Sequence, residues 1–373
     1  MTHASVPSAG PRQQLPIRHF VSALAALTAG SAIAGPAQDA AAYADAIAKI
    51  NQSHVLRPAG NSEADLAKLL PASARSALPR LLAAKPAPDL APALLRAGEA
   101  ALDLDLLTDF DSIRPLLETI APESAAKLGT AMSRPRFLVR GLGKFDAGYL
   151  ENFADVFDGI LAAYDTVFGF KEFSKIPGKK LRVRVHLEPA ITKPPHFAPE
   201  FPWHSEIDFP VIDGAKFASP TPQGQMLFYG LCHELGHVIA MWGDLRTMED
   251  KHAWAHYTGV TIVEHLAANA AHKPWMESLR DARWRSLELE RGLAENRTTP
   301  SLATTYGGVM ALLIALHDLV GPRAIGDAIN LLDAQNKHRL INHVRYYTFA
   351  DFRRALEQVA PAKKNDLAKT FGK

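Results

Sequence analysis

The chain has 373 residues, long enough for two or three packed units, because single hydrophobic cores rarely extend past about 250–300 residues. Hydrophobic residues make up 47% and charged residues 21%, which is the balance of a globular protein and excludes a disordered chain. A formal net charge of +2 excludes the strongly basic field typical of nucleic-acid-binding proteins, so no nucleic-acid partner is expected.

The first 34 residues are typical of a cleavable export signal. Arg12 and Arg18 supply positive charge, and an apolar run from Phe20 to Ala29 follows. Ala32-Ile33-Ala34 then has the small-x-small pattern that signal peptidases recognise. The apolar run is shorter than the ~20 residues of a membrane-spanning helix. We therefore predict a signal peptide over residues 1–34 and a secreted or periplasmic protein without stable membrane insertion; an alanine-rich first helix is the alternative.

Residues 35–135 are rich in alanine, leucine and proline, with apolar residues at helical spacing. Three stretches have the clearest helical pattern and are separated by proline-bearing turns: Ala40–Ile50, Glu63–Leu70 and Leu94–Leu104. The region contains no cluster of chemically useful residues. We predict a helical accessory region, with a propeptide that covers an active site before its removal as the alternative.

A second unit is predicted over residues 136–373, and it begins with strand patterns. Leu181–Leu187 alternates strictly between apolar and polar residues, as expected of a half-buried strand with one solvated face. Ile207–Val211 predicts a second short strand, in which Pro210 favours an edge position or a strand end.

Two helices follow these strands. Thr221-Pro222 predicts the start of the first, because proline is favoured at the first helical position, and its apolar pattern continues to about Met241. The second begins near Thr247, and a helical C-terminal part starts at about residue 276, where Gly321-Pro322 separates two helices. The expected fold is α+β and mostly helical, with a small mixed β-sheet packed on the first of these two helices.

The first helix contains His233-Glu234-Leu235-Gly236-His237, which has the spacing of a zinc site. Residues four apart on a helix differ by about 40° in direction, so both imidazoles can converge on one ion. Glu234 lies about 100° from His233, which places its carboxylate beside the ion rather than on it. Zinc acidifies water, and Glu234 is then the candidate general base. The alternative is two surface histidines on either side of a glutamate.

A catalytic zinc ion usually has three protein ligands and one position left for water. The second helix offers five candidates for the third ligand: Glu249, Asp250, His252, His256 and Glu264. His252 and His256 are four residues apart and share one face of that helix. A metzincin arrangement would need a ligand six residues after His237, where Gly243 stands, so the sequence does not favour this class.

The zinc motif and the second helix resemble the gluzincin branch of zinc metallopeptidases, which contains thermolysin and the aminopeptidase N family. The resemblance covers roughly Leu181 to Leu319. In that group the second helix carries a ligand glutamate, in patterns like E-x-x-A-x-Y, and His252–Tyr257 is similar with histidine in the glutamate place. The resemblance thus implies His252 as the third ligand and His256 as a residue that orients a zinc-bound ring. The alternative alignment keeps the aminopeptidase spacing after His237 and makes His256 the ligand.

The same resemblance suggests two further parts of an active site. In the aminopeptidases of this group, a tyrosine before a glycine-containing apolar helix stabilises the oxyanion. Tyr306-Gly307-Gly308 is similar, so the resemblance implies Tyr306 for this role, with a core tyrosine as the alternative. The weaker rivals for this role are His338, His343, Tyr346 and Tyr347. Trp203–Ile207 is expected to border the cleft, where the family binds extended substrate by strand addition.

These patterns predict a secreted zinc metallopeptidase of the endopeptidase type, which acts on peptide or protein substrates with Zn²⁺ as its cofactor. Three imidazole ligands would leave the site one negative charge short of the family's. A catalytically inactive protein of the same fold, serving as a zinc-binding or partner-binding module, is therefore the alternative. A hydrolase that uses the same metal on a non-peptide amide or ester is a third interpretation.

Overall fold

The computed structural model of the chain describes residues 35–52, 63–143, 145, 147–170, 180–188, 196–198, 206–212, 222–239, 241–242, 248–269, 306–335, 339–341 and 344–372. Over these residues the protein is α+β and mostly helical, as the sequence predicts. The signal peptide predicted over residues 1–34 lies outside the described residues.

Six α-helices occupy the described part of the N-terminal region. They are α1 (Pro36–Gln52), α2 (Glu63–Lys68), α3 (Ala72–Leu82), α4 (Ala91–Asp103), α5 (Leu107–Ile120) and α6 (Pro122–Leu128). Their apolar faces pack into one buried cluster that includes Tyr43, Leu94 and Phe110. The three helical segments predicted here from apolar spacing are confirmed as α1, α2 and α4, because that spacing marks the faces that form this cluster.

A five-stranded mixed sheet follows, with one long helix between its second and third strands. These elements are β1 (Thr130–Ser133), β2 (Phe137–Leu142), α7 (Ala147–Val167), β3 (Leu181–Glu188), β4 (His196–Ala198) and β5 (Glu206–Ile212). The strand order is β1-β2-β3-β5-β4; the three inner strands are parallel and the two outer strands run antiparallel to their neighbours. The sequence predicted β3 and β5 but missed β1, β2 and β4, which are short and lack a strict polar alternation.

The sequence context of Pro210 favours an edge position or a strand end, and Pro210 lies near the end of an inner strand, β5, which ends at Ile212. β5 is paired with β3 on one side and with β4 on the other. However, β4 pairs with β5 only between Glu206 and Asp208, so Pro210 lies beyond the last of these pairs. Proline has no amide hydrogen to donate, and this position requires none on the β4 side.

The two faces of the sheet pack against different parts of the protein. Leu181 and Val183 of β3 belong to a buried cluster that also contains side chains of α7 and of the zinc-motif helix. Arg182 points to the other face, where it donates to the carbonyl oxygen of Leu102 and pairs with Asp105 at 3.0 Å. The alternating pattern predicts a solvated face for Arg182; instead it is 7% exposed, because the N-terminal helices cover it. The sheet thus lies between these helices and the core that holds the zinc motif.

The rest of the described chain is again mainly helical. Its elements are α8 (Pro222–Ile239), β6 (Met241–Trp242), α9 (Met248–Asn269), α10 (Tyr306–Ala334), β7 (Arg339–Ile341), β8 (Val344–Tyr347), α11 (Phe349–Val359) and α12 (Lys364–Phe371). α8 begins at Pro222, as predicted. β6 follows it directly and pairs in parallel with β8, in a small second sheet that the helical pattern of this region did not predict.

Helix α10 is divided at Gly321, whose φ of 80° and ψ of 159° are not helical. The Gly321-Pro322 signal for a break between two helices is thus confirmed. Among the described residues, the stretch Val309–Ala334 of α10 is the one long and apolar enough to span a membrane. Its side chains Leu313 and Leu316 lie fully buried in the core shared with α9 and α11. A helix buried in a protein core can be as long and as apolar as a membrane-spanning helix.

Candidate metal centre

The zinc motif lies in the second half of α8, inside the protein. His233, Glu234 and His237 are only 7%, 6% and 9% exposed. Glutamate is rarely buried to this extent unless it is paired or binds a metal, and the nitrogens of a buried imidazole need polar partners. α8 contacts β4 and β5 at the edge of the sheet and packs closely on α9. The motif is therefore enclosed between the sheet edge and a second helix.

The two motif histidines converge as their spacing predicts. Nε2 of His233 lies 3.2 Å from Nε2 of His237, and the ring planes are nearly perpendicular, at 86°. Two nitrogens bound to one tetrahedral zinc ion at 2.0–2.1 Å are separated by about 3.3 Å. The observed separation is therefore close to that of two imidazole nitrogens bound to one zinc ion.

Glu234 lies beside this pair of nitrogens. Its Oε1 is 3.9 Å from Nε2 of His233, and one donor atom from each of the three motif residues falls within a group 4.8 Å across. A separation of 3.9 Å is too long for a direct hydrogen bond. It suits a carboxylate that contacts a water molecule beside the ion, as a general base must.

Small residues allow α8 and α9 to cross with their backbones in contact. A Cβ atom added to Gly236 would lie 2.7 Å from Cα of Ala255, closer than real Cβ atoms approach. A Cβ atom added to Gly259 would lie 3.1 Å from Cα of His233. The two glycines thus bring α9 against the first histidine of the motif, so side chains of α9 can lie beside the motif.

The residue of α9 that reaches the motif in the described structure is His256. Its ring centroid lies 4.3 Å from that of His233, compared with 4.8 Å between His233 and His237. Two imidazoles that share a tetrahedral zinc ion have ring centroids about 5 Å apart. Nδ1 of His256 makes a short contact with the hydroxyl of Tyr229. A third imidazole, in contact with a tyrosine hydroxyl, therefore lies beside His233. It is not part of the group of described metal donors, which consists of His233, Glu234 and His237.

Sequence reasoning did not identify Tyr229, although a signal was present. Tyr229 precedes His233 by four residues, the same interval that separates His233 from His237, so the three share one face of α8. Its ring lies 6.0 Å from the rings of both His233 and His256. Extending the histidine periodicity one turn backwards would have found it.

Tyr257, which supports the gluzincin alignment of α9, points to a different part of the protein. Its hydroxyl lies 3.1 Å from Nδ1 of His317 in α10, and the residue is 2% exposed. The Tyr257–His317 contact helps to fix the rotation of α9 about its own axis. His256, the preceding residue, then faces α8.

Cys232 has the packing role that its apolar surroundings predict. It is fully buried, and burial raises the pKa of its thiol, which opposes metal binding as a thiolate. Its carbonyl oxygen accepts a hydrogen bond of 2.8 Å from the hydroxyl of Tyr164 in α7. This bond ties the middle of the zinc-motif helix to its neighbour.

Several predicted site residues have side chains outside the described residues, so their roles stay predictions. His252 lies in the second turn of α9 and Tyr306 is the first residue of α10, but in both cases only the backbone is described. The same limit applies to other candidates: Glu249, Asp250, Trp203, His338, His343 and Tyr346. Glu264 is half-buried and does not join the described group of metal donors.

Tyr347, the last of the rivals proposed for the oxyanion role, has its hydroxyl engaged elsewhere. It donates a short hydrogen bond to Asp333 near the end of α10. The residue is 3% exposed and belongs to the hydrophobic core. Tyr347 therefore has a structural role in the described fold.

The donor set found here suits zinc better than magnesium or calcium. Buried imidazole nitrogens are typical ligands of zinc and its transition-metal neighbours, whereas the alkaline-earth ions require several oxygen ligands. The 3.2 Å separation of the two Nε2 atoms agrees with tetrahedral zinc geometry. No protein-family model, curated protein or solved structure matches this chain.

Proposed function

We propose that the protein is a zinc-dependent metallopeptidase that hydrolyses peptide or protein substrates. The observation that carries the proposal is the 3.2 Å approach of the two motif Nε2 atoms, in a buried site with the Glu234 carboxylate beside them. His233 and His237 would hold the ion, together with one histidine of α9, either His252 or His256. A bound zinc ion supplies Lewis acidity, which lowers the pKa of water towards ~7 and polarises a carbonyl oxygen.

Glu234 moves the proton in this reaction. Its carboxylate accepts a proton from the attacking water, whose oxygen forms a bond to the substrate carbonyl carbon. Glu234 then returns the proton to the amide nitrogen as the C–N bond breaks, so the products are a carboxylate and an amine. The gluzincin resemblance implies that the hydroxyl of Tyr306 donates a hydrogen bond to the substrate carbonyl oxygen, on which negative charge develops.

The edge of the sheet supports a peptide as the substrate. β4 is the last strand in the order β1-β2-β3-β5-β4, and it contacts α8. An extended peptide that pairs with the outer side of β4 would therefore pass along the zinc-motif helix. A strand edge accepts the middle of a peptide as well as its ends, which favours an endopeptidase. A mixed sheet with its edge strand beside the motif helix is the arrangement that a zincin-like fold requires.

The test of this proposal is Glu234→Gln, which removes the base but preserves the size of the side chain. We expect one equivalent of zinc to be retained and the rate of peptide hydrolysis to fall by about 10²–10⁴-fold, the usual contribution of a general base. Cleavage of a diverse peptide mixture, followed by mass spectrometry, measures it. Glu264→Gln is the matched control, because Glu264 stands outside the described metal donors. A Glu234→Gln variant as active as the wild type would contradict the proposal.

Zinc content separates the peptidase from its main alternative. The main alternative is a protein of the same fold that has lost catalysis. It is suggested by the histidine that stands on α9 where the gluzincins have a ligand glutamate. Elemental analysis of purified protein should find about one zinc per chain if the site is complete. Less than about half an equivalent, or full zinc without hydrolysis of any peptide, would favour the non-catalytic binding module. Hydrolysis of esters but not peptides would favour the third interpretation.

We also propose that the protein acts outside the cytoplasm, after removal of residues 1–34. The support is the charged segment, short apolar run and Ala32-Ile33-Ala34 triplet of the sequence. N-terminal sequencing of the exported protein should begin at Gly35. Recovery of the intact chain from the cytoplasm alone would contradict this localisation.

A further inference from the structure

We propose that two buried hydroxyl groups, those of Tyr164 in α7 and Thr258 in α9, position the motif histidines of α8. Each hydroxyl contacts α8 at the residue that directly precedes one of these histidines. The inference rests on the proposed function for the presence of the metal. It goes beyond that function because neither residue belongs to the zinc motif or to the group of described metal donors.

The first contact holds the peptide group that leads into His233. The hydroxyl of Tyr164 donates a hydrogen bond of 2.8 Å to the carbonyl oxygen of Cys232, the residue before His233. Helix α9 approaches the same peptide group through Gly259. A Cβ atom added to Gly259 would lie 3.2 Å from the amide nitrogen of His233 and 3.5 Å from the carbonyl carbon of Cys232. This peptide group is therefore in contact with both α7 and α9.

The second contact lies one turn later, at Gly236, the residue before His237. A Cβ atom added to Gly236 would meet the hydroxyl oxygen of Thr258 first, and then Cα of Ala255 at 2.7 Å. The Thr258 hydroxyl donates to the carbonyl oxygen of Trp254 at 3.0 Å, in the preceding turn of its own helix, which fixes the orientation of the side chain. The hydroxyl thus occupies the space beside Gly236 and sets the distance between α9 and this part of the motif.

The two hydroxyl groups belong to one buried cluster. Burial raises the pKa of Tyr164 well above its ordinary value, and the hydrogen bond with Thr258 opposes this shift. The phenol therefore stays protonated at neutral pH and remains able to donate. Both residues are fully buried, so water cannot replace a partner that is removed. Linked polar groups in such surroundings act together rather than separately.

These contacts bear on zinc affinity through the backbone of the motif. His233 and His237 can share one ion only while the turn of α8 between them keeps its shape, with their Nε2 atoms 3.2 Å apart. A site that already has the geometry of the bound state loses less conformational freedom on binding, and this raises its affinity. Removing either hydroxyl should free this turn and weaken zinc binding, although every metal donor is still present.

The deciding experiment is Thr258→Val, which removes the hydroxyl and keeps the branched shape of the side chain. We expect the zinc dissociation constant, measured by competition with a chromogenic chelator, to rise by about tenfold, the lower end of the range for residues that orient metal ligands. Thr258→Ser, which keeps the hydroxyl, should bind zinc as the wild type does.

Thr261→Val is the matched control. Thr261 is also buried, and its hydroxyl also donates to a carbonyl oxygen one turn earlier in α9, that of Tyr257. However, Thr261 is not among the residues nearest to Gly236. Its replacement should leave the zinc dissociation constant unchanged.

Tyr164→Phe removes the other hydroxyl and tests the same role from α7. We expect a similar rise of about tenfold in the zinc dissociation constant. Combining it with Thr258→Val should add little, because groups that act as one unit are not additive, whereas independent contributions would multiply. The absorption spectrum of the cobalt-substituted protein responds to ligand geometry, so it should change in both variants and stay unchanged in Thr258→Ser and Thr261→Val.

The folded fraction separates positioning from general destabilisation. The apparent dissociation constant scales inversely with the fraction of protein that is competent to bind, so a metal-free variant that is about 99% folded loses only about 1% of its affinity through unfolding. Urea unfolding of the metal-free variants measures this fraction. A loss of affinity that the unfolded fraction explains completely would overturn the proposal.

Three other results would also overturn it. The first is wild-type zinc affinity and cobalt spectra in both Thr258→Val and Tyr164→Phe, and the second is an equal loss of affinity in Thr261→Val. The third is a loss in the double variant equal to the product of the two single losses, because the hydroxyls would then not form one unit. If Thr258→Val fails to fold, Tyr164→Phe decides by the same criteria.

The outcomes also separate this inference from the proposed function. Wild-type protein without zinc would contradict both. Zinc binding that is weakened in Thr258→Val and Tyr164→Phe, combined with full activity in Glu234→Gln, would contradict the peptidase mechanism alone. Zinc binding that is unaffected in these two variants, combined with loss of hydrolysis in Glu234→Gln, would contradict the positioning role alone.

Discussion

Gly236→Ala is the substitution for which the structure reverses the expectation from helix propensity. Replacing glycine by alanine inside a helix normally raises the free energy of unfolding by about 0.8–1 kcal/mol. At Gly236, however, the new methyl group would lie 2.7 Å from Cα of Ala255 and even closer to the hydroxyl oxygen of Thr258. The backbone atom cannot rotate away, so α8 and α9 must move apart.

The magnitude follows from comparison with a second helical glycine. A Cβ atom added to Gly159, in the middle of α7, would have no atom within 4 Å. Gly159→Ala should therefore raise the free energy of unfolding through the better helix propensity of alanine, without a steric clash. Overpacking of a tightly packed contact costs about 1–3 kcal/mol. Because the propensity gain is common to both variants, the two should differ in stability by about this amount, with Gly236→Ala the less stable.

Urea unfolding monitored by far-UV circular dichroism measures this difference, and the zinc competition assay measures its effect on the site. We expect Gly159→Ala to unfold at higher urea concentration than the wild type and Gly236→Ala at lower concentration. Gly236→Ala should also bind zinc more weakly, because α9 packs against the backbone of His233 and its separation would leave the motif histidines less firmly held. If Gly236→Ala proved as stable as Gly159→Ala and bound zinc normally, the close crossing of α8 and α9 would be refuted.

Two further predictions concern stability away from the candidate metal site. Asp105→Asn should lower the free energy of unfolding by about 3–5 kcal/mol, because it leaves the buried Arg182 without its counter-charge; adding Arg182→Met should recover part of this loss in urea unfolding. Thr348→Ala should cost about 1 kcal/mol, because Thr348 caps α11 by accepting a hydrogen bond from the backbone of Asp351. The Thr348 hydroxyl also lowers the pKa of Asp351, so part of its contribution is present above pH ~3.9 and is lost as the pH falls through the depressed pKa. Thermal melts from pH 7 to pH 2 should therefore show a smaller difference between wild type and Thr348→Ala at the acid end.

The position of the N-terminal helices bears on the propeptide alternative. Arg182 pairs with Asp105 on the face of the sheet opposite to the cluster that contains α8. A segment that inhibits a peptidase by covering its site would need to lie on the side of α8. The buried ion pair and the packing of Leu138 of β2 into the N-terminal hydrophobic cluster favour a permanent structural role for α1–α6.

Local sequence patterns predicted those elements whose signals come from the chain itself. Proline at the first helical position indicated the start of α8, and the alternation of Leu181–Leu187 indicated β3. Gly321-Pro322 predicted the break in α10, because a positive φ and a missing amide hydrogen interrupt a helix wherever they occur. The convergence of His233 and His237 follows from the period of the helix alone.

Other features depend on contacts between segments far apart in the sequence. The pattern of β3 showed that Arg182 alternates with apolar residues, but it did not show that helices 80 residues earlier would cover that face. β1 and β2 are held by pairing with each other and with β3, so their own short sequences carry little strand signal.

The sequence by itself determined the relative positions of the two candidate ligands and the candidate base, since these positions are fixed within one helix. It did not determine which residue of α9 stands opposite them, because His252 and His256 share a face of that helix and its periodicity treats them alike. The tertiary structure placed the ring of His256 beside His233, through the rotation and close approach of α9. That rotation is decided by Gly236, Gly259 and the Tyr257–His317 contact, which involve three separate helices and leave no local period to detect.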